Sequence, residues 1–332
     1  MPTKPAFSAR SLLTKSRQFE RPSWRIAASQ LATSLCGLAA MWALMLHFHE
    51  RSAALAFAVS PLAAGFLLRL FMIQHDCGHH SFVPHARTND LLGRFLGIIT
   101  LTPYDYWRAT HARHHAAPGK LGGRGEGDIL MLTVTEYCAL PKWKQYLYRA
   151  YRSPFLMFGV GAPLLFLLYY RAPRSRCLSK RRLLANVAFT NLGLALGCFL
   201  LGTLIGPKSL AAIYLPTVFL ASAFGAWLFF VQHQFEGTYW ADGEDWDFFK
   251  GAIEGSSYIV LPRVFNWFTG DIAIHHVHHL NSRIPNYRLR SFLTAYPEFS
   301  QINRLNWRDG IRATNLVLWD EANRRLIPFG GA

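Results

Sequence analysis

Charge is scarce in this sequence, and acid scarcest: only 16% of the 332 residues are charged, and 35 Lys and Arg stand against 19 Asp and Glu. So few charges cannot coat the two soluble domains that length alone would suggest. The five cysteines, Cys36, Cys77, Cys138, Cys177 and Cys198, stand apart with no Cys-x-x-Cys pair. That excludes a disulfide framework, a zinc ribbon and an iron–sulfur cluster, so any redox chemistry needs another cofactor and outside electrons. No internal repeat and no low-complexity segment is present, which removes solenoids and biased tails.

What is abundant is apolar: 51% of the chain, gathered into long runs. Ile26 to Leu46, Ala53 to Ile73, Leu183 to Ile205 and Leu210 to Val231 each have the length a hydrocarbon core requires. The chain therefore reads as an all-α integral membrane protein with about four transmembrane helices. Leu91 to Leu101 is too short to cross and is expected to lie in the interface or re-enter. The net charge of +16 fits basic cytoplasmic loops facing anionic lipid rather than a nucleic-acid partner. The loop from Gln74 to Arg152 carries ten Lys or Arg residues, which places it in the cytoplasm. Gly119 to Gly127 is read as an irregular loop.

Pro154 to Tyr170 decides the topology. It contains Gly159, Gly161 and Pro163 and is followed by Arg171, Arg174, Arg176, Lys180, Arg181 and Arg182. Those cations put the following loop back on the cytoplasmic side, so this segment is expected to enter and leave by one face. Residues 1–25, basic with Glu20 as the sole acid, read as a cytoplasmic tail, with a transit peptide as the alternative. The membrane body would span 26–290, and 291–332 would form a cytoplasmic cap under it. A multi-pass protein of the bacterial inner membrane is the expectation; oligomeric state is not legible.

Histidine carries the chemistry. Ten of the 14 histidines fall in three clusters: His75, His79 and His80; His111, His114 and His115; and His275, His276, His278 and His279. Positions i, i+3 and i+4 share a helix face, so each cluster can aim two or three imidazoles at one point. A zinc ion is saturated by about four ligands, and a catalytic one takes about three from protein, so a second metal ion is the simplest use of the excess. Imidazole suits iron, and iron activates dioxygen. Such a site could take hydrogen from an unactivated carbon, which side chains alone cannot do.

In order and placement the three clusters resemble the three histidine boxes of the membrane fatty acid desaturase superfamily. Thr110 to His115, the Gly-Glu-Gly-Asp run at Gly125 to Asp128, Glu244 to Phe248, and Val264 to Tyr287 are similar to the bacterial and cyanobacterial Delta-12 (omega-6) acyl-lipid desaturases. The likeness covers most of residues 70 to 290. It implies a cytoplasmic, histidine-rich di-iron cap whose ligands are His75, His79 or His80, His111, His114, His115, His275, His278 and His279. His233, in Val-Gln-His-Gln-Phe-Glu, matches a further family histidine that completes the shell. His276 is left between support of the ligands and a purely structural role. Asp76 is a candidate to orient a ligating imidazole, or else to cap a helix. Asp271 stands where asparagine is usual, four residues before His275, and on a helix would lie beneath it.

The implied reaction is oxygen-dependent insertion of a cis double bond into the acyl chain of a membrane lipid. Dioxygen would be the co-substrate, and electrons would come from a separate ferredoxin or cytochrome b5-like carrier. Trp107, Trp227 and Phe230 are candidates to line the acyl tunnel. A hydroxylase, ketolase or epoxygenase would share the metal site. His75-Asp-Cys-Gly-His79 also resembles the zinc-protease motif His-Glu-x-x-His, but aspartate replaces its general base and the remaining box histidines go unused. A non-enzymatic haem or metal-ion binder would place its histidines within the bilayer rather than at helix ends.

Overall fold

The computed structural model describes residues 9–125, 128–172 and 181–331. Four long helices form its frame: Trp24–His49, Ala53–Gly78, Arg181–Ile205 and Pro207–His233. At 1.5 Å per residue each measures about 38 to 40 Å, longer than the roughly 30 Å hydrocarbon layer. Each extends past the run read from sequence because polar end residues continue the helix outside the apolar stretch. The reversals from first to second and from third to fourth are short. Arg51 and Ser52 turn the first helix into the second, and Gly206, at φ 83°, turns the third into the fourth through a backbone region costly for other residues.

Burial separates inner from outer helices. In the second helix 56% of the apolar stretch is buried, and in the fourth 33%, against 17% in the first and 6% in the third. Leu192, Phe199 and Leu204 on the third are exposed, as side chains bound for lipid should be. The second and fourth helices both end in histidine, at His75 to His79 and at His233, on the same side of the bundle. The start of the first helix is tied there too, because the Ser23 N–H donates to Tyr287 Oη over 2.8 Å. So is the start of the third, where Arg182 donates to Asp105 Oδ1 over 3.1 Å.

The short run near residue 91 is a helix, Ala86–Ile99, that joins the first and second histidine clusters without crossing. Gly97 lets it turn back sharply, since a Cβ there would lie 2.4 Å from the Thr102 carbonyl oxygen. The decisive segment is bent by 63° between Lys142–Tyr151 and Phe155–Arg171, with a π-helical turn at Phe155–Gly161. Arginines fix its bend and its far end. Arg152 donates to Leu130 O over 3.0 Å, and Arg171 donates to Leu101 O. Of the following cations, Arg174, Arg176 and Lys180 lie outside the described residues, as do Glu126 and Gly127 of the Gly125 to Asp128 run.

Beyond His233 the chain folds as short helices over the histidine ends. Val277, Ile284, Phe292 and Phe299 share one core with Leu228 and Phe230 of the fourth helix. The all-helical reading holds for the frame, but the cap adds two small sheets. Leu132–Thr133 pairs in parallel with Leu318–Asp320, which pairs antiparallel with Arg325–Ile327; Tyr258–Val260 runs parallel to Arg304–Asn306. Strands of two or three residues are too short to give an alternating pattern in sequence. The N-terminal tail docks on this cap through Phe19, 5.4 Å from the Phe292 ring, and through Ser16, whose Oγ accepts from Asn281.

Candidate metal centre

Four elements converge on the site. The last turn of the second long helix presents His75, and its capping residue is His79. Helix Tyr104–Ala116 carries His111, His114 and His115 on one face, and the end of the fourth long helix carries His233. The short helix His275–Leu280 supplies His275, His278 and His279 with the same i, i+3, i+4 spacing.

The imidazoles sort into two groups, His75, His79, His111, His115 and His278 in one, and His114, His233, His275 and His279 in the other. In the second group the Nε2 atoms close a ring: His114 to His233 3.1 Å, His233 to His275 2.9 Å, His275 to His279 3.1 Å and His279 to His114 3.2 Å. The first forms an open chain, with Nε2 separations of 3.1 Å for His79 to His111, 3.1 Å for His111 to His115 and 3.2 Å for His115 to His278.

Hydrogen bonding cannot account for the ring. Burial, and after it the neighbouring imidazoles, holds His114, His275 and His279 well below the usual imidazole range, and the same holds for His79, His111, His115 and His278. These rings are therefore neutral near pH 7. A neutral Nε2 carries either one hydrogen or one lone pair, so at most two of the four edges can be hydrogen bonds. The remainder bring like groups together at about 3 Å. Ligands about 2.1 Å from a shared cation at right angles are separated by about that distance. The donor set thus fits a metal ion in each group, and the absence of any carboxylate favours iron, zinc, copper or nickel over calcium or magnesium.

The surrounding groups hold the rings unequally. The His75 Nδ1–H donates to Asp76 Oδ1 over 3.1 Å, and Asp76 Oδ2 accepts the Asn286 N–H over 2.6 Å. Asp76 thus bridges the His75 ring and the start of helix Asn286–Ala295. The His233 Nδ1–H donates to Gly255 O over 3.2 Å.

Two expectations are corrected. His80 does not reach either group: the helix has ended, its φ is 55°, and its Nε2 meets Asp90 Oδ1 at 2.9 Å. Tyr104 and Arg108 donate to the same carboxylate, a network with no recognisable signal in sequence. Asp271 does not lie under His275, because the helix begins only at His275; Asp271 is a turn residue at φ 54° paired with Arg290. Asn and Asp tolerate that left-handed region better than most residues, which explains why either can stand here. His276 points away from both groups and donates through Nε2 to Phe299 O over 2.9 Å. Its burial pushes its pKa down to about 4.

A cavity of about 710 Å³ leads from His75, His111 and His275 up between the second and fourth long helices. Its walls are mainly apolar, including Leu67, Phe71, Met157, Ala221 and Phe229. Trp107 lines it and stacks on His111 at 4.5 Å. Trp227 and Phe230 do not line it: Trp227 covers Gly310, and Phe230 is buried against Phe158.

The fatty acid desaturase family profile matches residues 51–309. Over 327 residues the chain is 36% identical to a fatty acid desaturase of Bacillus subtilis, covering 98% of this chain and 92% of that one. Two Synechocystis proteins are also similar. The sn-1 oleoyl-lipid 12-desaturase is 27% identical over 72% of this chain and 68% of its own. The sn-1 acyl-lipid omega-3 desaturase (ferredoxin) is 30% identical over 67% and 61%.

Proposed function

Because the chain belongs to the fatty acid desaturase family, we propose that it is a di-iron enzyme that inserts a Delta-12 (omega-6) cis double bond into the acyl chain of a membrane lipid. The observation that carries this reading is the apolar cavity ending on imidazoles of both groups, His75 and His111 of one and His275 of the other. One iron would be held by His75, His79, His111, His115 and His278, and the other by His114, His233, His275 and His279. When bound, the pair supplies the dioxygen chemistry that removes hydrogen from an unactivated methylene, which side chains lack.

The protein's own residues do the rest. A cavity of this size and polarity suits a flexible apolar ligand, and it excludes water from the methylenes that reach its inner end. Trp107, stacked on His111, narrows that end. Asp76 fixes the His75 ring, and Gly255 fixes His233, so both are oriented before any ligand arrives. The regiochemistry follows the Synechocystis 12-desaturase, whose likeness extends along most of the chain. The histidine side is assigned to the cytoplasm from the ten basic residues between Gln74 and Arg152, and the bilayer to a bacterial inner membrane. An acidic ferredoxin meeting that basic face is the proposed electron donor.

The test is the fatty acid profile of host membranes expressing the chain beside His275→Ala, with double-bond positions fixed by mass spectrometry. A dienoic acid lost in the variant is expected. A hydroxylated product instead would turn the reading to a hydroxylase. Turnover with ferredoxin should fall as salt rises; indifference to ionic strength would remove the acidic donor.

A further inference from the structure

The proposed reaction needs something the large cavity does not provide. Removing a hydrogen from each of two adjacent methylenes while dioxygen becomes two waters takes two electrons from the carrier and two protons from solvent. A bound acyl chain would occupy the apolar route to the histidines, so those protons need another path.

A second, smaller cavity of about 230 Å³ reaches the site. It runs from the exposed Arg113 and Ala116 to His114 and His233, with Asp128 and Trp240 in its wall. Both histidines belong to the closed ring, so this cavity touches only the second group. Asp128 lines both cavities, and among the described residues it is the only carboxylate lining either. Trp240 is 8% exposed, and its indole N–H has no hydrogen-bond acceptor among the described residues. A buried donor with no protein acceptor favours water beside it, since leaving it unpaired costs about 1–3 kcal/mol.

The geometry points to this second cavity as the aqueous port of the metal site, an inference that rests on the desaturase reading. Protons enter through it and product water leaves through it, and Asp128 holds the proton where the two cavities meet. Dioxygen and the acyl chain, both apolar, use the larger one. The division keeps water off the methylenes while supplying the protons the reaction consumes.

The test uses the full-length, iron-loaded protein in detergent. A Cβ at Gly123, in the wall of the small cavity, meets nothing nearer than 3.9 Å, so Gly123→Leu fills space rather than striking backbone. Azide, a small hydrophilic anion that colours ferric non-haem centres, reports access optically. With iron content unchanged, Gly123→Leu should slow azide association by about tenfold and raise the solvent deuterium isotope effect on turnover without changing KM for the lipid. Ala116→Trp, at the exposed mouth, repeats the block if Gly123→Leu does not fold. Ala221→Phe, which narrows the large cavity, should leave azide association unchanged. Asp128→Asn should lower kcat alone, and Asp128→Glu should restore it. Equal azide rates in Gly123→Leu and the parent, with iron bound and product formed, overturn the port and leave the desaturase reading standing. Slowing by Ala221→Phe instead would assign water to the larger cavity. A chain that binds no iron would overturn both.

Discussion

The two imidazole groups draw on overlapping helices yet are finished differently. His114, His233, His275 and His279 close on one another, and the structure records a backbone carbonyl, Gly255 O, behind His233. The other group is an open chain in which His75 leans on the carboxylate of Asp76. The open group lines only the apolar cavity, through His75 and His111, whereas the closed ring borders both cavities, through His275 on one and His114 and His233 on the other. Orientation by a carboxylate makes a ligand more basic as well as fixed. Orientation by packing fixes without adding charge. Two metal ions held here would therefore sit in unlike surroundings, one beside a buried anion and one beside a route to water.

The largest effect should come from opening the ring. His275→Ala removes two of its four edges and a wall of the substrate cavity, so product should fall to background and metal content toward one ion per chain. Retention of both ions by this variant would show that the ring is not a ligand set. Next comes Asp76→Asn, which keeps the shape but removes the charge behind the open group. A loss of about 10- to 100-fold in metal affinity or activity is expected, confined to one of the two ions in a metal titration. Equal weakening of both ions would erase the distinction between the groups.

Acid should act on both groups together. Their histidines outside the long helices have pKa values depressed below the unfolded value of about 6.5, so the unfolded chain binds protons more readily. Stability is then fully present above about pH 6.5 and is lost as pH falls below it. Thermal unfolding of the metal-free protein along a pH series checks the sign. The smallest effects belong to histidines outside the groups. His80→Ala should keep full metal content and change turnover by less than about threefold. His276→Ala should cost stability by about 1–3 kcal/mol, from the acceptor left at Phe299, and leave metal content unchanged. Metal loss in either variant would mean the groups extend beyond the nine histidines.

The sequence displayed the frame because membrane helices declare themselves by long apolar runs, and it displayed the histidines because their spacing matches one helix face. It could not show where a helix stops. His79 and His80 are neighbours, yet the helix ends at Gly78 and only His79 turns inward. Asp271 would lie beneath His275 only on a helix already under way, and that helix begins at His275. The glycines, the proline and the cations around Pro154 to Tyr170 mark it as no plain span, and it is bent by 63° from the helix before it. The cap sheets, the Asp90 network and the choice of Trp107 over Trp227 as cavity wall depend on contacts distant in the chain, and no local pattern encodes them.

The closed ring also has a consequence for how this chain matures. Its members come from positions 114, 233, 275 and 279, so an ion bound there clamps together segments that are distant along the polypeptide. Such a clamp closes long loops at an entropic cost that only a correctly docked bundle offsets. His275 and His279 are synthesised after the fourth long helix, so the ring cannot form until every span has emerged. Metal uptake at the ring would thus come last, and an occupied site would certify a finished bundle.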